Sequence, residues 1–375
     1  MALSLRWMGR RAIGRPISFN MDITIIVVTK NRWEFLRRLL GYYAAMRYPG
    51  RFLIGDSSAG EHLIKNRETI AQFERFFPIE FHEFPGEPVA MCHQRLADRI
   101  TTEFSACISD SGFLTLTGLQ RAVDFLKQNP DYVAADGAGA LFVLWDRAKV
   151  YGAFEAVSES RGVLRSIEDP LASRRLIHYM NPYSVSMYSV YRAKIWQQVW
   201  RFADQMQEPN LAGELLPCAL TAVYGKTKRL NVLLSVRHMH QGRYLYGKAG
   251  LYWLLQPAWG DSFRFFFDVL TKELQRLEGL SEREAQQTVV EASLGYLLPA
   301  LKKKYTAGVR NERRPMKDVF KRNKWVRGAY DFYRRWFTAV DHISLPKLLK
   351  KNSLYHENFM SIYQFVVNGM GREGP

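Results

Sequence analysis

Strand-like apolar runs alternate with helical patterns over the first third of the chain, and this alternation limits the fold more than any other feature. The run Asp22–Thr29 (DITIIVVT) is rich in β-branched residues, as expected of a strand buried on both faces of a parallel sheet. A helical pattern follows, and the strand–helix pair recurs with short connections up to a strand that begins at Tyr132. The alternation predicts an α/β fold in which an open, mainly parallel sheet is flanked by helices.

The positive charge lies mainly at the two ends of the chain, whose formal net charge is +17. Residues 1–16 contain four arginines and no acidic residue, and residues 301–351 contain 16 lysines and arginines against four acidic residues. The remainder is therefore nearly neutral, and the net charge reports on two basic appendages more than on the globular core.

The basic segment 301–351 interleaves Trp, Tyr and Phe with its Lys and Arg residues. Such a mixture suits contact with an anionic membrane surface, and a solvated helical bundle is an equally good interpretation. No known nucleic-acid-binding motif occurs in the sequence, so we expect no nucleic-acid partner.

Neither the apolar runs nor the cysteine spacing of the sequence indicates a membrane-spanning helix or a paired-cysteine motif. No run approaches the roughly 20 apolar residues of a membrane-spanning helix, and Cys92, Cys107 and Cys218 show no Cys-x-x-Cys spacing. These features predict a cytoplasmic protein that is at most peripheral on the inner face of the membrane. The predicted organisation is a basic N-terminal extension (1–20), a main domain (21–245) and a helical, basic C-terminal region (246–375).

Polar residues follow three of the predicted strands at the point where each strand ends. The segments are Thr29-Lys30-Asn31-Arg32, Asp56-Ser57-Ser58 and Asp110-Ser111-Gly112. Because the carboxyl ends of parallel strands meet at one edge of a sheet, this edge is the expected ligand site. The two commonest glycine-rich phosphate loops are absent from the sequence, which argues against an NAD-dependent dehydrogenase and a P-loop NTPase.

In order and spacing, the same segments resemble the family-2 glycosyltransferases, which have the GT-A fold. The matching stretches are TIIVVTKNR, LIGDSS and FSACISDSGFLTLTGLQRAVDFLKQNPDYVAADG. The resemblance covers residues 22–137 and, more loosely, residues 190–242. It implies a GT-A-like domain over residues 21–245, followed by a helical C-terminal extension, and a nucleotide-sugar donor.

The resemblance also implies roles for individual residues, with Asp56 at the base or ribose. An Asx turn in DSSAG is the alternative for Asp56, and a solvated helix face is the alternative for Arg95. The residues implied to bind the nucleotide-sugar are Thr29, Asn31, Arg32, Asp56, Ser57, Arg95, Arg237, His238, His240 and Arg243.

The metal-binding motif of the family is reduced in this chain. Where acidic residues cluster in the family, the sequence reads Ser109-Asp110-Ser111-Gly112 and offers a single carboxylate. One carboxylate holds Mg²⁺ or Mn²⁺ weakly unless other groups complete the shell. Asp110 and His240 are the candidate metal ligands, and three possibilities stay open: a metal held largely by the substrate, a metal-independent enzyme that uses Lys or Arg, and a domain that has lost catalysis.

The general base is expected near the start of a later helix, where the family carries an Asp or Glu. Glu214 matches this position best and Glu208 is the reserve, although a carboxylate at a helix N-terminus also serves as a simple cap. With Asp110, Glu214 completes the expected catalytic pair.

The resemblance implies a hexosyl- or related glycosyltransferase of polysaccharide or glycoconjugate biosynthesis. It would move a sugar from a nucleotide-sugar donor to a saccharide, lipid-linked or protein acceptor, inverting by direct displacement. The alternative is a catalytically degenerate, glycosyltransferase-like binding or scaffold protein.

Overall fold

The structure is a computed structural model that describes residues 21–160, 165–241, 254, 256–312 and 343–369. The predicted N-terminal extension, Arg243 and residues 313–342 of the basic segment lie outside the described residues. Within the described part of the chain, the strands are β1 Ile23–Thr29, β2 Arg51–Asp56, β3 Ile79–Glu83, β4 Phe104–Cys107, β5 Gly112–Leu114, β6 Tyr132–Leu144, β7 Phe154–Glu159, β8 Val190–Arg192 and β9 Lys226–His238.

Helices flank the sheet and make up most of the second half of the described chain. They are α1 Trp33–Ala45, α2 Gly60–Phe73, α3 Val89–Ala97, α4 Leu116–Gln128, α5 Ala172–Met180, α6 Ala193–Trp200, α7 Leu216–Tyr224, α8 Pro257–Glu278, α9 Glu282–Glu312, α10 Leu345–Leu348 and α11 His356–Asn368. A 3₁₀ turn (Ala203–Gln205) and a π-helical turn (Leu211–Leu215) precede α7.

The strands form one sheet in the order β3-β2-β1-β4-β8-β6-β9-β5, and β7 pairs with β6. Strands β3, β2, β1 and β4 are mutually parallel, β6 is parallel to β9, and β8 runs antiparallel between β4 and β6. The chain leaves β1 towards β2 and β3 and then crosses to β4 on the other side, so the strand order reverses between β1 and β4. This reversal places the expected ligand crevice at the ends of β1 and β4.

The predicted α/β sheet is confirmed, with local differences at the strands after Asp110. The predicted loop Asp110-Ser111-Gly112 leads directly into a short strand, Gly112–Leu114, which pairs antiparallel with β9. Strands β6 and β9 are both longer than predicted because their pairing continues past register shifts. One shift lies at Gly137, where a Cβ atom would stand 2.5 Å from the backbone oxygen of Val232, so only glycine fits this close approach.

At two helix N-termini, the capping residues suggested by the sequence can be compared with those in the structure. The sequence Ser281-Glu282-Arg283-Glu284 predicts a capping box, and hydrogen bonds in both directions between Ser281 and Glu284 confirm it. Asn31 precedes α1 and is a candidate cap by residue type, but Arg32 occupies the cap position, and Asn31 adopts a left-handed conformation with a φ of 56°.

Buried side chains form two clusters, both of which draw on residues from both sides of position 245. One contains Tyr42, Phe113 and Phe142 together with Phe359 of α11. The other contains Trp196 and Trp200 together with Phe266 of α8. Among the described residues, no helix combines the length and the apolar character needed to cross a membrane.

Candidate functional site

Asp110 lies at the reversal of strand order and is 1% exposed. Its Oδ2 accepts a hydrogen bond from Thr29 Oγ1 at 2.9 Å, and its Oδ1 accepts one from Arg32 Nη1 at 3.1 Å. Burial raises the pKa of the Asp110 carboxyl, while the neighbouring Arg32 and Thr29 act to lower it. The end of β1 thus holds Asp110 through two of the residues that were predicted to line the donor pocket.

A buried guanidinium lies behind the loop that follows Asp110. Arg38 of α1 is fully buried, and its Nη2 donates to the Ser111 carbonyl at 2.8 Å and its Nη1 to the Val150 carbonyl. Desolvation lowers the pKa of Arg38 to about 10, so the group stays protonated at neutral pH. Arg38 therefore places a fixed positive charge beside the Asp110 loop.

Asp56 at the end of β2 is also fully buried, and its partners come from its own loop and from α2. Its Oδ1 accepts from the Ser58 backbone N–H at 2.8 Å, and its Oδ2 accepts from Asn66 Nδ2 at 2.7 Å. Burial raises the pKa of Asp56, and the Ser58 and Asn66 hydrogen bonds oppose this shift. The Asx turn considered from DSSAG is therefore present at Asp56.

The loops that end β1 and β2 are tied to each other. The Ser57 backbone N–H donates to the Thr29 carbonyl at 2.9 Å, and the Asn31 N–H donates to Ser58 Oγ at 2.7 Å. Ser57 Oγ is buried and makes no hydrogen bond within the described structure. These contacts bring Thr29, Asn31, Arg32, Asp56, Ser57 and Asp110 to one edge of the sheet.

Strand β9 separates two residues that the sequence grouped at one diphosphate site. Successive side chains of a strand point to opposite faces, and His238 packs at 4.7 Å on Phe142 and beside Arg38. Arg237 points away from this cluster, where it stacks on Tyr188 at 4.1 Å and donates to Ser160. Arg237 and His238 therefore do not share a site.

His238 also lacks the charge that a phosphate contact would need. It is 1% exposed, and burial, followed by the nearby Arg38 and His240, lowers the pKa of His238 to about 2. The ring is neutral at physiological pH. His240 packs with its ring 4.3 Å from Phe35 in the same aromatic cluster.

Within the described residues, the predicted metal ligands Asp110 and His240 belong to no larger group of ligating side chains. Both oxygens of Asp110 accept hydrogen bonds, one of them from a cationic guanidinium. Among the described residues, no group of three or more His, Cys, Asp or Glu side chains is arranged to hold a metal ion. The side chains present therefore do not fit a protein-held divalent cation.

Glu214 lies on the face of the sheet that Arg237 occupies. It belongs to the π-helical turn before α7 and is half-buried, and Tyr183 donates a hydrogen bond to its Oε1 at 3.2 Å. Burial raises the pKa of Glu214, opposed by Tyr183 and Arg237. π-Helical turns are rare and often mark functional sites.

The capping role expected of a carboxylate near this point belongs to Glu208. Its Oε2 accepts from the Leu211 backbone N–H at 2.7 Å, and it is 4% exposed. Glu208, the reserve candidate for the base, thus caps the helical segment. Glu214 lies six residues further along the chain.

Besides Arg38, three residues of this neighbourhood were not found from the sequence. Asp136 of β6 is buried, lies 3.7 Å from Arg229, and burial raises its pKa to about 6. A carboxylate inside an apolar strand (DYVAADG) was the signal for it. Asn66 and Tyr183 carry no such signal, because their importance comes from partners distant in sequence.

Arg95 lies apart from this cluster. Its Nε donates to Glu87 at 2.7 Å, and half of its side chain is exposed. No described contact joins it to Asp56 or Asp110, which agrees with the solvated helix face considered for it.

Comparisons with known proteins support the fold. A scan against models of protein families finds no match, and a search of curated proteins also finds none. Among solved structures, residues 1–349 of S. aureus TarS in complex with UDP-GlcNAc are 13% identical, covering 80% of this chain and 81% of that chain at a TM-score of 0.50. GalNAc-T7 with UDP, GalNAc and Mn²⁺ is 9% identical, and the match covers 76% of this chain and 58% of that chain at a TM-score of 0.42. The mixed α/β sheet with its flanking helices therefore has the GT-A-like fold.

Proposed function

We propose that the chain is a glycosyltransferase that takes a nucleotide-sugar donor. One observation carries the proposal: Glu214, a half-buried carboxylate in a π-helical turn, lies within electrostatic range of Arg237. Arg237 in turn pairs with Gly112, which lies two residues after Asp110. In open α/β sheets, ligands bind at the carboxyl ends of the strands, where the strand order reverses.

The donor would lie across the ends of β1, β2 and β4. Its base and ribose would meet the loop of Asp56 and Ser57, where the buried Ser57 hydroxyl still has hydrogen-bonding capacity. Its diphosphate would lie near Thr29, Asn31 and Arg32. The anomeric carbon would then face the Glu214 side of the edge.

Glu214 is proposed as the general base of an inverting, single displacement. It takes the proton of the acceptor hydroxyl while that oxygen bonds to the anomeric carbon. The bond from the anomeric carbon to the phosphate oxygen breaks at the same time, and the nucleoside diphosphate leaves with both bonding electrons. A raised pKa makes the carboxylate a stronger base than an exposed glutamate, and Tyr183 orients it.

The acceptor class proposed is a saccharide, a lipid-linked sugar or a protein. The basic segment 301–351 supports a location at an anionic membrane surface, where a lipid-linked acceptor would be found.

Glu214→Gln tests the catalytic proposal. The variant should bind the nucleotide as the wild type does and lose transfer activity by about 10²- to 10⁴-fold, since the amide cannot accept the proton. Glu61→Gln, which changes an exposed carboxylate on α2, is the matched control. Turnover at the wild-type rate in Glu214→Gln would show that the base lies elsewhere.

A catalytically silent binding protein is the second candidate, favoured by the single carboxylate at Asp110 and its engagement by Arg32. Thermal-shift screening against UDP-, GDP-, CMP- and dTDP-sugars, followed by an assay of donor turnover with each nucleotide-sugar that binds, separates the two. A shift with donor turnover supports the enzyme, a shift without turnover supports the binding protein, and no shift with any nucleotide contradicts both.

A further inference from the structure

We propose that Arg32, backed by the buried charge of Arg38, neutralises the diphosphate of the donor directly, in the place where a protein-held cation would otherwise stand. This inference rests on the proposed nucleotide-sugar donor and specifies how its diphosphate is bound. The ligand class is a nucleoside diphosphate or its sugar ester.

The first argument is the state of Asp110. Its oxygens are bound by the Thr29 hydroxyl and by the Arg32 guanidinium, and it is 1% exposed. A divalent cation at Asp110 would have to displace a hydrogen bond and lie within a few ångströms of a like charge, which is unfavourable. The charge that compensates Asp110 is thus already supplied by the protein.

The second argument is the accessibility of Arg32. Its side chain is 21% exposed, whereas that of Asp110 is almost completely buried. Its described contact with Asp110 uses one of its five N–H donors. The remaining donors can form the paired, charge-assisted hydrogen bonds that guanidinium groups make with phosphate oxygens.

The third argument is the surrounding field. Exposed Lys30 lies two residues before Arg32, and the N-terminus of the 13-residue helix α1 begins at this point without a side-chain cap. The guanidinium of Arg38 is fixed in place, because it is held by the Ser111 and Val150 carbonyls and packed 5.1 Å from the rings of Phe35 and Phe113. Arg32, Arg38 and a helix N-terminus thus lie beside one buried carboxylate.

Isothermal titration of the full chain tests this inference, with UDP and GDP as probes and uridine and guanosine as phosphate-free references. Each is measured in EDTA and again in Mn²⁺. For the nucleotide that binds, we expect affinities that differ by less than about threefold between the two conditions. Arg32→Gln should weaken diphosphate binding by about 10- to 100-fold, as expected for a lost charge-assisted pair, and leave nucleoside binding unchanged.

Matched variants make the result specific. Arg67→Gln removes an exposed arginine that is paired with Glu83 and should leave all affinities unchanged, while Arg32→Lys should restore part of the loss. Asp110→Asn is the sharpest variant: it releases Arg32 from its partner and should leave diphosphate affinity equal or higher. A protein-held cation predicts the opposite, because its one carboxylate ligand would be gone.

Three results would overturn the inference. Diphosphate binding that appears only in Mn²⁺, or that is lost in Asp110→Asn, would place a cation at Asp110 and leave the proposed donor intact. Unchanged affinity in Arg32→Gln would remove the proposed contact. Binding of neither nucleotide in either condition would contradict this inference, and the thermal-shift screen, which also includes CMP- and dTDP-sugars, would then decide whether the proposed donor class fails with it.

Discussion

Glu214 and Asp110 are both acids whose pKa is raised by burial, but their partners differ in kind. Asp110 has a cationic partner that favours its ionised form, whereas Glu214 has a neutral phenol and a more distant guanidinium. A carboxylate held by a neutral donor can accept a proton at little electrostatic cost. This difference is the residue-level reason for assigning proton transfer to Glu214.

The hydroxyl of Tyr183 should set the acid limb of the pH–rate profile. It donates to Glu214 and lowers the pKa of that carboxyl. Since the base must be ionised, activity should rise with pH through this pKa, and Tyr183→Phe should move the rise to higher pH. The measurement is kcat/KM against pH, with Tyr363→Phe on α11 as the control. An unmoved acid limb would rule out the coupling.

Asp136 should make folding stability depend on pH. Its pKa rises from an ordinary value of 3.8 to about 6 on folding, so the folded state holds the proton that the unfolded state has lost. Unfolding free energy then falls as pH rises from about 4 to about 6. The free energy of unfolding of Asp136→Asn, relative to that of the wild type, should rise by about 2–3 kcal/mol from pH 4 to pH 7. Urea unfolding at the two pH values measures this, and a pH-independent difference would contradict it.

At the level of elements, helix α2 supports the loop of Asp56 through a single buried amide. Asn66→Ala leaves Asp56 Oδ2 without its donor and should lower the free energy of unfolding by about 1–3 kcal/mol. Because the same loop is proposed to meet the base, nucleotide affinity should fall as well. Glu68→Ala on the exposed face of α2 serves as the control. Equal stability of the two variants would mean that the loop holds without α2.

The strand ends were predictable from the sequence, and their tertiary partners were not. Thr29, Asp56 and Asp110 each follow an apolar run, and parallel pairing brings such ends together whatever the details of packing. The separation of Arg237 from His238 follows from the alternation of side chains along β9, but the face of β9 that meets α1 could not be read from the local sequence. Similarly, Glu208 became the cap because the helical segment begins several residues before the predicted start.

At the level of the whole molecule, α11 completes the core of the sheet from a position far along the chain. Phe359, Ile362 and Val366 are fully buried beside residues of α1, β6 and β7. Phe359→Ala should therefore lower the free energy of unfolding by about 3–5 kcal/mol. Chemical denaturation measures the loss, with Met360→Ala as a partly buried control on the same helix. A loss below about 1 kcal/mol would show that α11 is not part of the cooperative core.

The basic segment should govern attachment to membranes. Replacing the nine Lys and Arg residues of 313–342 by Gln leaves α10 and α11 intact. The variant should lose sedimentation with phosphatidylserine vesicles, and high salt should release the wild type in the same way. A second variant, in which the four arginines of residues 1–16 are replaced by Gln, tests separately whether the N-terminal basic segment contributes to sedimentation with the vesicles. Equal sedimentation of wild type and the 313–342 variant would contradict the proposal.

The contact between α1 and α11 has a consequence for synthesis on the ribosome. Tyr42 and Ser361 are joined by a hydrogen bond across 319 residues of chain. At about 5–20 residues per second, the apolar face around Tyr42 waits roughly 15–60 s for its cover to be translated. During that interval the nascent chain presents an open aromatic surface, so chaperone dependence in the cell should exceed what the stability of the finished protein suggests.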